Sequence, residues 1–572
     1  MRCFSRQSVK GERGSVAVIA ILITTLMVLL GLAFLATAQN ENVIATRFKH
    51  TNQAFYAAEA GLESGLVDLR TLLPATPTPT AAQLTAIAPP TLTDPHYRFN
   101  TFHLQRIRPT SYQTTIESGP FAGLFAQTAD YEITAHVDGP QGATARLGQV
   151  VQHLEIPLFQ FGVFYGKGVD LEIAPGPPMT FNGRVHANSN IYIRNDTSQF
   201  DSFLTTVGDV YRHLKREPGV RGSNPTIKDA GGTYRDLNFD HAHDQDFNNP
   251  WTPQDWRNAA LTTFDGLVLD SAMGVQEIIP PIPELFYDPV NPEVISHQMI
   301  EKGDPADSPA MQAAKPYHEA QLRIEADVAG VITATDQKGD PVSLASCAPG
   351  TVSTQSFYDK REEATMTVTE VNIGALEACG KMPANGLLYV SREGTHRGVR
   401  LTNGALLPDQ GLTVVSENPV YIQGNYNTVN KKPAAVMGDA ITVLSNNWGL
   451  NNSDTKGNQV TSNRPATATT VNAAFALGPS AESVEGQGNG QLENVIRFLE
   501  NWTGKNFNYN GSIIALWHSQ QATGDWRCCG NSGNHYYEPP NRNWAYDPLF
   551  NTHIPPGTPR GILTMKTRWS RI

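Results

Sequence analysis

An uncharged apolar run occupies residues 15–38 and is the most hydrophobic segment of the chain. Arg2, Arg6, Lys10 and Arg13 precede this run. At about 1.5 Å per residue, a helix of this length is about 36 Å long, which is enough to cross the roughly 30 Å hydrocarbon layer of a membrane. The pattern therefore predicts one transmembrane helix, and the basic flank predicts an N-terminus in the cytoplasm.

The apolar pattern does not stop at the end of this run. Further large side chains recur at helical steps of seven, four and three positions: Phe55, Leu62, Leu66 and Leu69. No proline occurs before Pro74, and a proline at that place is typical of a helix end. We therefore predict one continuous helix over residues 15–73, whose outer half is amphipathic and packs through this stripe.

The segments after the helix have the patterns of a linker and then of strands. Residues 74–95 are rich in Pro, Thr and Ala, which is typical of an extended and fairly stiff connection. Residues 96–160 alternate between apolar and polar positions, as at Tyr131, Ile133 and Ala135. This alternation predicts a small antiparallel sheet that packs on the outer half of the helix.

Residues 161–572 contain many short β-branched runs that are broken by Asn and Gly. Two runs return after similar steps, because Leu412 to Ala435 is 23 positions and Val420 to Ile441 is 21. Such a step predicts the coils of a parallel β-solenoid, and a β-sandwich with Asn-Gly hairpins remains the alternative.

Three details complete the fold prediction. Residues 225–370 are irregular and rich in Pro, Asp and Ala, so we interpret them as an insertion on the β scaffold. Short helices are predicted at Tyr317–Asp327 and Leu492–Trp502. The fold class is therefore mainly β with one long N-terminal α-helix: the long helix plus a small antiparallel sheet, followed by a large solenoid-like domain.

Composition narrows the functional classes. The chain has 572 residues, with 43 Lys and Arg against 54 Asp and Glu, for a net charge of −11. A negative balance disfavours nucleic acid as a partner, since phosphate binding needs a basic face. Gly 48 and Pro 39 indicate many turns and short strands.

The N-terminal segment carries a specific resemblance. The Glu-Arg-Gly-Ser junction at 12–15, the apolar run, and the string Asn-Gln-Ala-Phe-Tyr-Ala-Ala-Glu-Ala-Gly-Leu-Glu at 52–63 resemble the N-terminal domain of PilX-type type IV pilus assembly proteins, which are minor pilins. The resemblance covers about residues 8–70. It implies a prepilin-type leader at residues 1–14 and cleavage by a prepilin peptidase between Gly14 and Ser15.

The same resemblance implies partners and a location. The partners would be other pilins and minor pilins, the prepilin peptidase, the inner membrane and a pilus-tip adhesin. The protein would cross the inner membrane once, keep its bulk in the periplasm, and reach the pilus at the cell surface after assembly. We therefore expect a pilus assembly component that displays its large β domain for assembly, adhesion or partner binding.

One position departs from the pattern of major pilins. These carry Glu at the fifth mature position, where it offsets the terminal amine of a neighbouring subunit in an apolar fibre core. The corresponding residue here is Ile19. Because an unpaired charge in apolar surroundings is costly, this subunit suits a minor, initiating or tip position rather than a repeating one.

Two alternatives remain open at the level of sequence. Residues Ala36-Thr37-Ala38 have the A-x-A form of a signal peptidase site, so the apolar run is also compatible with a cleaved secretory signal. The alternative function is a membrane-anchored or secreted β-solenoid protein, binding or cleaving polysaccharide, that is unrelated to pili.

The remaining candidate chemistry is sparse. His241 and His243 form an H-x-H pair next to Asp244, which suits either a divalent metal or a solvated polar loop. Cys347 and Cys379 are candidates for a disulfide outside the cytoplasm, whereas the pairing of the adjacent Cys528 and Cys529 stays open. The G-x-S-x-G and G-x-x-x-x-G-K-[ST] motifs do not occur. We therefore predict no enzyme and no cofactor beyond that metal.

Overall fold

A computed structural model describes residues 13–76, 78–118, 121, 123–218, 220–245, 249–449, 453–481, 491–528 and 535–572. The chain forms two compact units. Unit 1 comprises Met1–Tyr112, Thr128–Leu154 and Leu563–Ile572, and unit 2 comprises Gln113–Gln127 and Glu155–Ile562. Each unit therefore contains segments that are far apart in sequence.

One helix is much longer than the others. The α-helices of the described chain are α1 (Arg13–Ala75), α2 (Ala81–Thr85), α3 (Pro253–Phe264), α4 (Pro292–His297), α5 (Pro309–Ala314), α6 (Pro316–Glu319), α7 (Ile373–Ala378) and α8 (Ser453–Lys456). Short 3₁₀ helices lie at Pro140–Gly142, Ser271–Met273, Glu284–Phe286, Gln298–Ile300, Thr461–Asn463, Leu492–Asn494 and Pro548–Asn551. The predicted helix over 15–73 thus extends from Arg13 to Ala75, and α2 lies within the predicted linker at 74–95.

Most strands are short. The first group is β1 (Arg98–Arg106), β2 (Tyr112–Thr115), β3 (Phe125–Asp138), β4 (Thr144–Pro157), β5 (Val163–Tyr165), β6 (Leu171–Ile173), β7 (Met179–Phe181), β8 (Val185–Ala187), β9 (Ile191–Ile193), β10 (Ser198–Phe200), β11 (Leu204–Thr206), β12 (Val210–Tyr211), β13 (Thr226–Lys228), β14 (Tyr234–Asp236) and β15 (Val268–Leu269). The second group is β16 (Leu322–Ala326), β17 (Ile332–Thr335), β18 (Val352–Asp359), β19 (Ala364–Asn372), β20 (Leu387–Arg392), β21 (Arg397–Thr402), β22 (Leu412–Val415), β23 (Val420–Gln423), β24 (Ala434–Met437), β25 (Ile441–Leu444), β26 (Thr469–Asn472), β27 (Ala474–Ala476), β28 (Ile496–Arg497), β29 (Asn506–Gly511), β30 (Ile513–Ala515), β31 (Asn541–Tyr546) and β32 (Arg560–Arg571). The chain is therefore mainly β with one long N-terminal helix.

A sheet with the order β1-β3-β4-β32 provides the packing surface of unit 1. β1 and β3 run antiparallel. The alternating residues Tyr131, Ile133 and Ala135 of β3 are fully buried. They form one core with the outer half of α1. The alternating apolar residues of this segment therefore pack on the helix, as their pattern predicts.

The last strand of the chain returns to unit 1. β32 pairs with β4, and Leu563–Ile572 belong to unit 1, whereas the sequence pattern predicts residues 161–572 as one domain. Ile572 N donates to Arg146 O at 2.9 Å, which helps to hold the final residues on the sheet. A local pattern identifies a strand but not the sheet that it joins, because pairing partners at this separation leave no local signal.

Unit 2 contains two long sheets in which the strand pairs are parallel, except for the antiparallel pairs β16–β17 and β18–β19. One sheet has the order β15-β11-β8-β5-β30-β27-β24-β22-β20-β16-β17, and a second has the order β18-β19-β21-β23-β25-β28. Between β20 and β25 the chain alternates between the two sheets, and each strand pairs in parallel with the strand two further along. Side chains such as Val414, Ile422 and Val436 are fully buried and belong to one apolar core.

The chain enters the longer sheet near its middle. β5 pairs with β8 on one side and with β30 on the other, and both pairings are parallel. The chain first builds one end of this sheet as far as β15, then resumes at β16 near the opposite end and returns to β30. The first and last parts of unit 2 are therefore neighbours in one sheet.

The predicted insertion at 225–370 is only partly an insertion. β13 pairs with β10, β16 pairs with β20, and β19 pairs with β21, so both ends of this region belong to the sheets. The helices α3, α4, α5 and α6 lie between them. The high Pro and Asp content reflects the starts of these helices, as at Thr252, whose hydroxyl accepts a hydrogen bond from Asp255 N in a capping box.

Two predicted short helices are wrong. In Tyr317–Asp327, α6 ends at Glu319 and Leu322–Ala326 forms β16, because the alternating apolar residues pair with β20. In Leu492–Trp502, a 3₁₀ turn precedes the strand β28. The polar residues of segment 492–502 are also largely buried, as at Glu500, whose Oε1 accepts from Ser445 Oγ at 2.7 Å. Burial raises the pKa of Glu500 to about 7. The amphipathic pattern therefore does not mark a solvent-facing side.

We expect deletion of residues 563–572 to destabilise unit 1 selectively, because it removes β32 from the edge of β4. Hydrogen exchange of β3 and β4 should become at least about tenfold faster, while exchange in β22–β25 stays unchanged and serves as the internal control. Unchanged protection of β3 and β4 would contradict the assignment of the C-terminus to unit 1.

Candidate functional site on the N-terminal helix

The first half of α1 is apolar on every side. It contains a segment with a mean hydropathy of 2.8, and none of that segment is buried. The exposed apolar side chains are Val16, Val18, Ile19, Ile21, Leu22, Ile23, Leu26, Met27, Val28, Leu29, Leu30, Leu32, Phe34 and Leu35. Exposed fractions reach 74% at Phe34. A patch of this size requires lipid or protein as its surroundings.

The few polar side chains in residues 16–38 are satisfied within the helix. Thr25 Oγ1 donates to Ile21 O at 2.7 Å, Thr37 Oγ1 donates to Ala33 O at 2.9 Å, and Thr24 makes the equivalent bond to Ala20 O. These hydroxyl groups therefore need no water. The segment meets the requirement that polar groups in a hydrocarbon layer find partners internally.

The second half of α1 packs on the sheet of unit 1. Its buried side chains are Ala54, Ala58, Leu62, Leu66, Leu69 and Leu73. We call this contact between α1 and the sheet the seam. Phe55 lies half-buried beside the seam, and its ring centroid is 6.1 Å from that of Trp569. The predicted stripe of Phe55, Leu62, Leu66 and Leu69 is thus brought together, but it contacts the subunit's own sheet.

Small residues allow this close approach of helix and sheet. A methyl group at Gly61 would lie 2.6 Å from Phe99 Cε1 and 3.2 Å from Ala135 Cβ. A methyl group at Gly65 would lie 3.0 Å from Ile133 Cγ2. Much of the Ala-Ala-Glu-Ala-Gly-Leu string therefore serves as the contact surface for the sheet. The recurrence of Ala and Gly at helical spacing is the sequence signal for this role.

Polar contacts fix the position of the helix on the sheet. Tyr97 OH donates to Gln53 Oε1 at 2.6 Å, and His50 Nδ1 lies 2.7 Å from the same hydroxyl. Near the C-terminus, Lys566 forms an ion pair with Glu63. Burial raises the pKa of Tyr97, so its hydroxyl keeps the proton that it donates.

The sequence pattern does not identify the helix face that is left for other molecules. In the outer half of α1, apolar side chains that remain exposed are Val43, Ile44, Phe48, Tyr56 and Val67. Their exposed fractions range from 49% at Val43 to 67% at Phe48. These residues, rather than the buried stripe, are available to contact a neighbour.

The predicted cleavage site lies at the start of α1. The backbone of Gly14 and Ser15 belongs to the first turn of this helix, which begins at Arg13. Residues 1–12 of the predicted leader lie outside the described residues. Ile19, at the position that resembles the fifth mature residue, is 54% exposed.

The predicted metal ligands do not share one site. His241 Nδ1 lies 2.8 Å from Asp270 Oδ2 and 3.4 Å from Asp209 Oδ1. His243 contacts Asp240 Oδ1 at 3.0 Å, and Asp244 Oδ2 accepts from Asn249 Nδ2 at 2.8 Å. The H-x-H pair lies in a turn rather than on a strand, so its two side chains have different partners.

The group around His241 is therefore Asp209, His241 and Asp270. The hydrogen bond to Asp270 raises the pKa of His241, which favours an imidazolium between two carboxylates. Asp209 and Asp270 are distant from His241 in sequence, so spacing gives no signal for them. The three side chains therefore form an ion-paired group when His241 is protonated.

Four of the five cysteines belong to unit 2. Cys347 and Cys379 are joined in a disulfide with a Cα–Cα distance of 5.0 Å. Cys528 is disulfide-bonded as well, while Cys529 lies outside the described residues. The first disulfide links the segment before β18 to the end of α7.

Comparisons with known proteins give one distant structural likeness. No protein-family model matches the chain, and no curated protein matches it. The crystal structure of the competence-associated pilin ComZ from Thermus thermophilus is similar over 91% of this chain and 97% of that chain, with 13% sequence identity and a TM-score of 0.29. An overlap of this quality does not establish a shared fold.

Substitution of Gly61 by Leu tests the seam between helix and sheet. We expect it to destabilise unit 1 by about 1–3 kcal/mol, because the larger side chain must displace Phe99 and Ala135. Ala60→Leu is the matched control, since Ala60 is exposed on the same turn and should change stability by less than about 0.5 kcal/mol. Native-state hydrogen exchange of β3 measures both effects, and equal effects would contradict the seam.

Proposed function

We propose that the protein is a minor pilin or pilus assembly component that is anchored by α1 in the inner membrane before assembly. The main support for this proposal is that the two halves of one continuous helix have different surroundings. Its first half exposes apolar side chains all round, whereas its second half is packed on a sheet. The N-terminal resemblance to PilX-type proteins supports the same role.

The proposed mechanism is an exchange of surroundings. In the bilayer, the first half of α1 contacts lipid, and in a filament it contacts the helices of other pilins and minor pilins. Lipid tails are as apolar as these side chains, so the exchange is driven by packing rather than by a hydrophobic gain. A methyl group at Gly31 would have no neighbouring group within 4 Å, so the helix offers an open notch for the backbone of another helix.

Processing and position in the fibre are parts of the same proposal. A prepilin peptidase would cut between Gly14 and Ser15 and leave Ser15 as the new N-terminus. Since Ile19 supplies no carboxylate to a neighbour's terminal amine, we place the subunit at an initiating or tip position. The exposed residues Phe48 and Tyr56 are then available to contact a partner outside the membrane.

Unit 2 is proposed to act as the displayed part of the molecule. Its alternating parallel ladders suit a β-solenoid, in which successive coils stack and bury a continuous core. We assign it to partner binding, such as contact with a pilus-tip adhesin, and to no enzymatic reaction. The net charge of −11 on the whole chain argues against nucleic acid as a partner of the protein.

Cysteine labelling tests the membrane anchor. Leu29 and Tyr56 are exposed to similar extents, 58% and 65%, so Leu29→Cys and Tyr56→Cys differ chiefly in their proposed surroundings. In intact spheroplasts, a membrane-impermeant maleimide should label Tyr56→Cys and leave Leu29→Cys unlabelled. The parent chain corrects for native cysteines. Equal labelling of both variants would contradict a membrane location for the first half of α1.

Substitution at Ile19 tests the position in the fibre. Ile19→Glu supplies the missing carboxylate, so its share in sheared filaments should rise several-fold relative to the parent. Ile19→Gln is the control, because it has the same length as Glu without the charge, and it should give no increase. Quantitative mass spectrometry of the sheared fraction measures the share. An equal response to Gln and Glu would remove the electrostatic reason for a minor position.

A further inference from the structure

A regular array of amides lies on one face of a three-stranded sheet in unit 2. The strands β26, β29 and β31 are parallel, and their register places Thr470 beside Asn508 and Asn508 beside Asn543. The neighbouring rows are Asn472 beside Asn510, and Asn506 beside Asn541. We call this set the amide ladder; its members are Thr470, Asn472, Asn506, Asn508, Asn510, Asn541 and Asn543.

Hydrogen bonds between the rungs fix the orientation of these side chains. Asn543 Nδ2 donates to Asn508 Oδ1 at 2.9 Å, and Asn508 Nδ2 donates to Thr470 Oγ1 at 3.0 Å. The same pattern joins Asn510 to Asn472 at 2.8 Å. Asn472 is buried, and its amide also donates to Asn427 O at 2.9 Å. An Asn side chain has two N–H donors and two acceptor lone pairs, so the more exposed rungs, such as Asn508 and Asn543, keep hydrogen-bonding capacity for a ligand.

The outward positions of the amide ladder are uncharged. Each outward position is Asn, Thr or Ala: Thr and Asn in β26, Asn alone in β29, and Asn and Ala in β31. The alternate residues are buried, as at Phe507, Tyr509 and Trp544. Arg542 is also buried, and its guanidinium donates to Asn494 Oδ1 at 2.8 Å, away from the outward row. The face therefore offers neutral hydrogen-bonding groups rather than a charge for an ionic ligand.

A groove continues the face beside β31. Its volume is about 590 Å³, and one wall is formed by ladder residues such as Asn508 and Asn543. Thr180 of β7 lies on the other wall. In the next strand, Gln199 Oε1 accepts from Thr180 Oγ1 at 3.4 Å. Hydroxyl and amide groups therefore line the groove together with the largely buried side chains of Trp544 and Arg542.

From this arrangement we propose that the amide ladder and its groove bind an uncharged polysaccharide. Rungs that repeat at the spacing of strands, about 4.8 Å, present donors and acceptors at regular intervals to an extended polymer of hydroxylated rings. The preoriented amides reduce the entropy lost on binding. This site is independent of the role of α1, since every residue involved belongs to unit 2.

The test uses the full chain in a zwitterionic detergent without sugar groups. Insoluble cellulose and chitin are the neutral probes, and alginate beads are the anionic probe. Depletion of protein from solution should occur with at least one neutral polymer and not with alginate. Asn543→Ala and Asn508→Ala should each weaken that binding about fivefold, which corresponds to one hydrogen bond.

Two further variants make the result decisive. Asn258→Ala is the matched control, because this exposed Asn of α3 also makes one side-chain hydrogen bond, to Gln254 at 2.8 Å, but lies outside the ladder. It should bind like the parent. Asn543→Asp keeps the shape of the side chain but replaces the donor to Asn508 Oδ1 by a charged acceptor on an exposed edge, so it should weaken binding while the thermal midpoint falls by no more than that of Asn543→Ala. Absence of binding to both neutral polymers, or equal binding to alginate, overturns the proposal, as does unchanged binding by the ladder variants.

Discussion

An apolar helix surface that cannot remain in water is the constraint that governs this molecule. More than a dozen large apolar side chains between Val16 and Leu35 are exposed on all sides of α1. Fully burying each such side chain is worth about 1.5–3 kcal/mol, so their exposure to water would cost on the order of 20 kcal/mol in total. Lipid and the helices of other subunits are the two surroundings that remove this cost, and the proposed pilus subunit uses them in turn.

The seam with the sheet gives that helix a fixed position on a folded body. Gly61 and Gly65 let the backbone of α1 approach Ile133 and Phe99, and Lys566 from the last strand pairs with Glu63. The N-terminal and C-terminal segments of the chain thus complete the same unit. A subunit built in this way exposes Phe48 and Tyr56 in a defined orientation instead of on a free helix.

Local patterns in the sequence predict the elements better than their partners. The helix pattern is strong because a long run obeys one period, and Val420 pairs with Ile441 at the predicted step. Leu412 pairs with Ala434 rather than Ala435, because the turns between successive strands vary in length by a residue. The group around His241 and the pairing of β32 with β4 leave no such pattern, since both join residues that are distant in the chain. At 492–502 most polar residues are buried, and Glu500, for example, has its own hydrogen-bond partner. Their polarity therefore wrongly predicts a solvent-exposed side.

The N-terminus of the protein in a sheared filament fraction tests the central claim most directly. We expect a mature chain that begins at Ser15, so that the whole apolar half of α1 is retained within the filament. A chain that begins at Gln39 would have lost that half, and it would contradict the proposed role of α1, as would absence of the protein from the filament fraction.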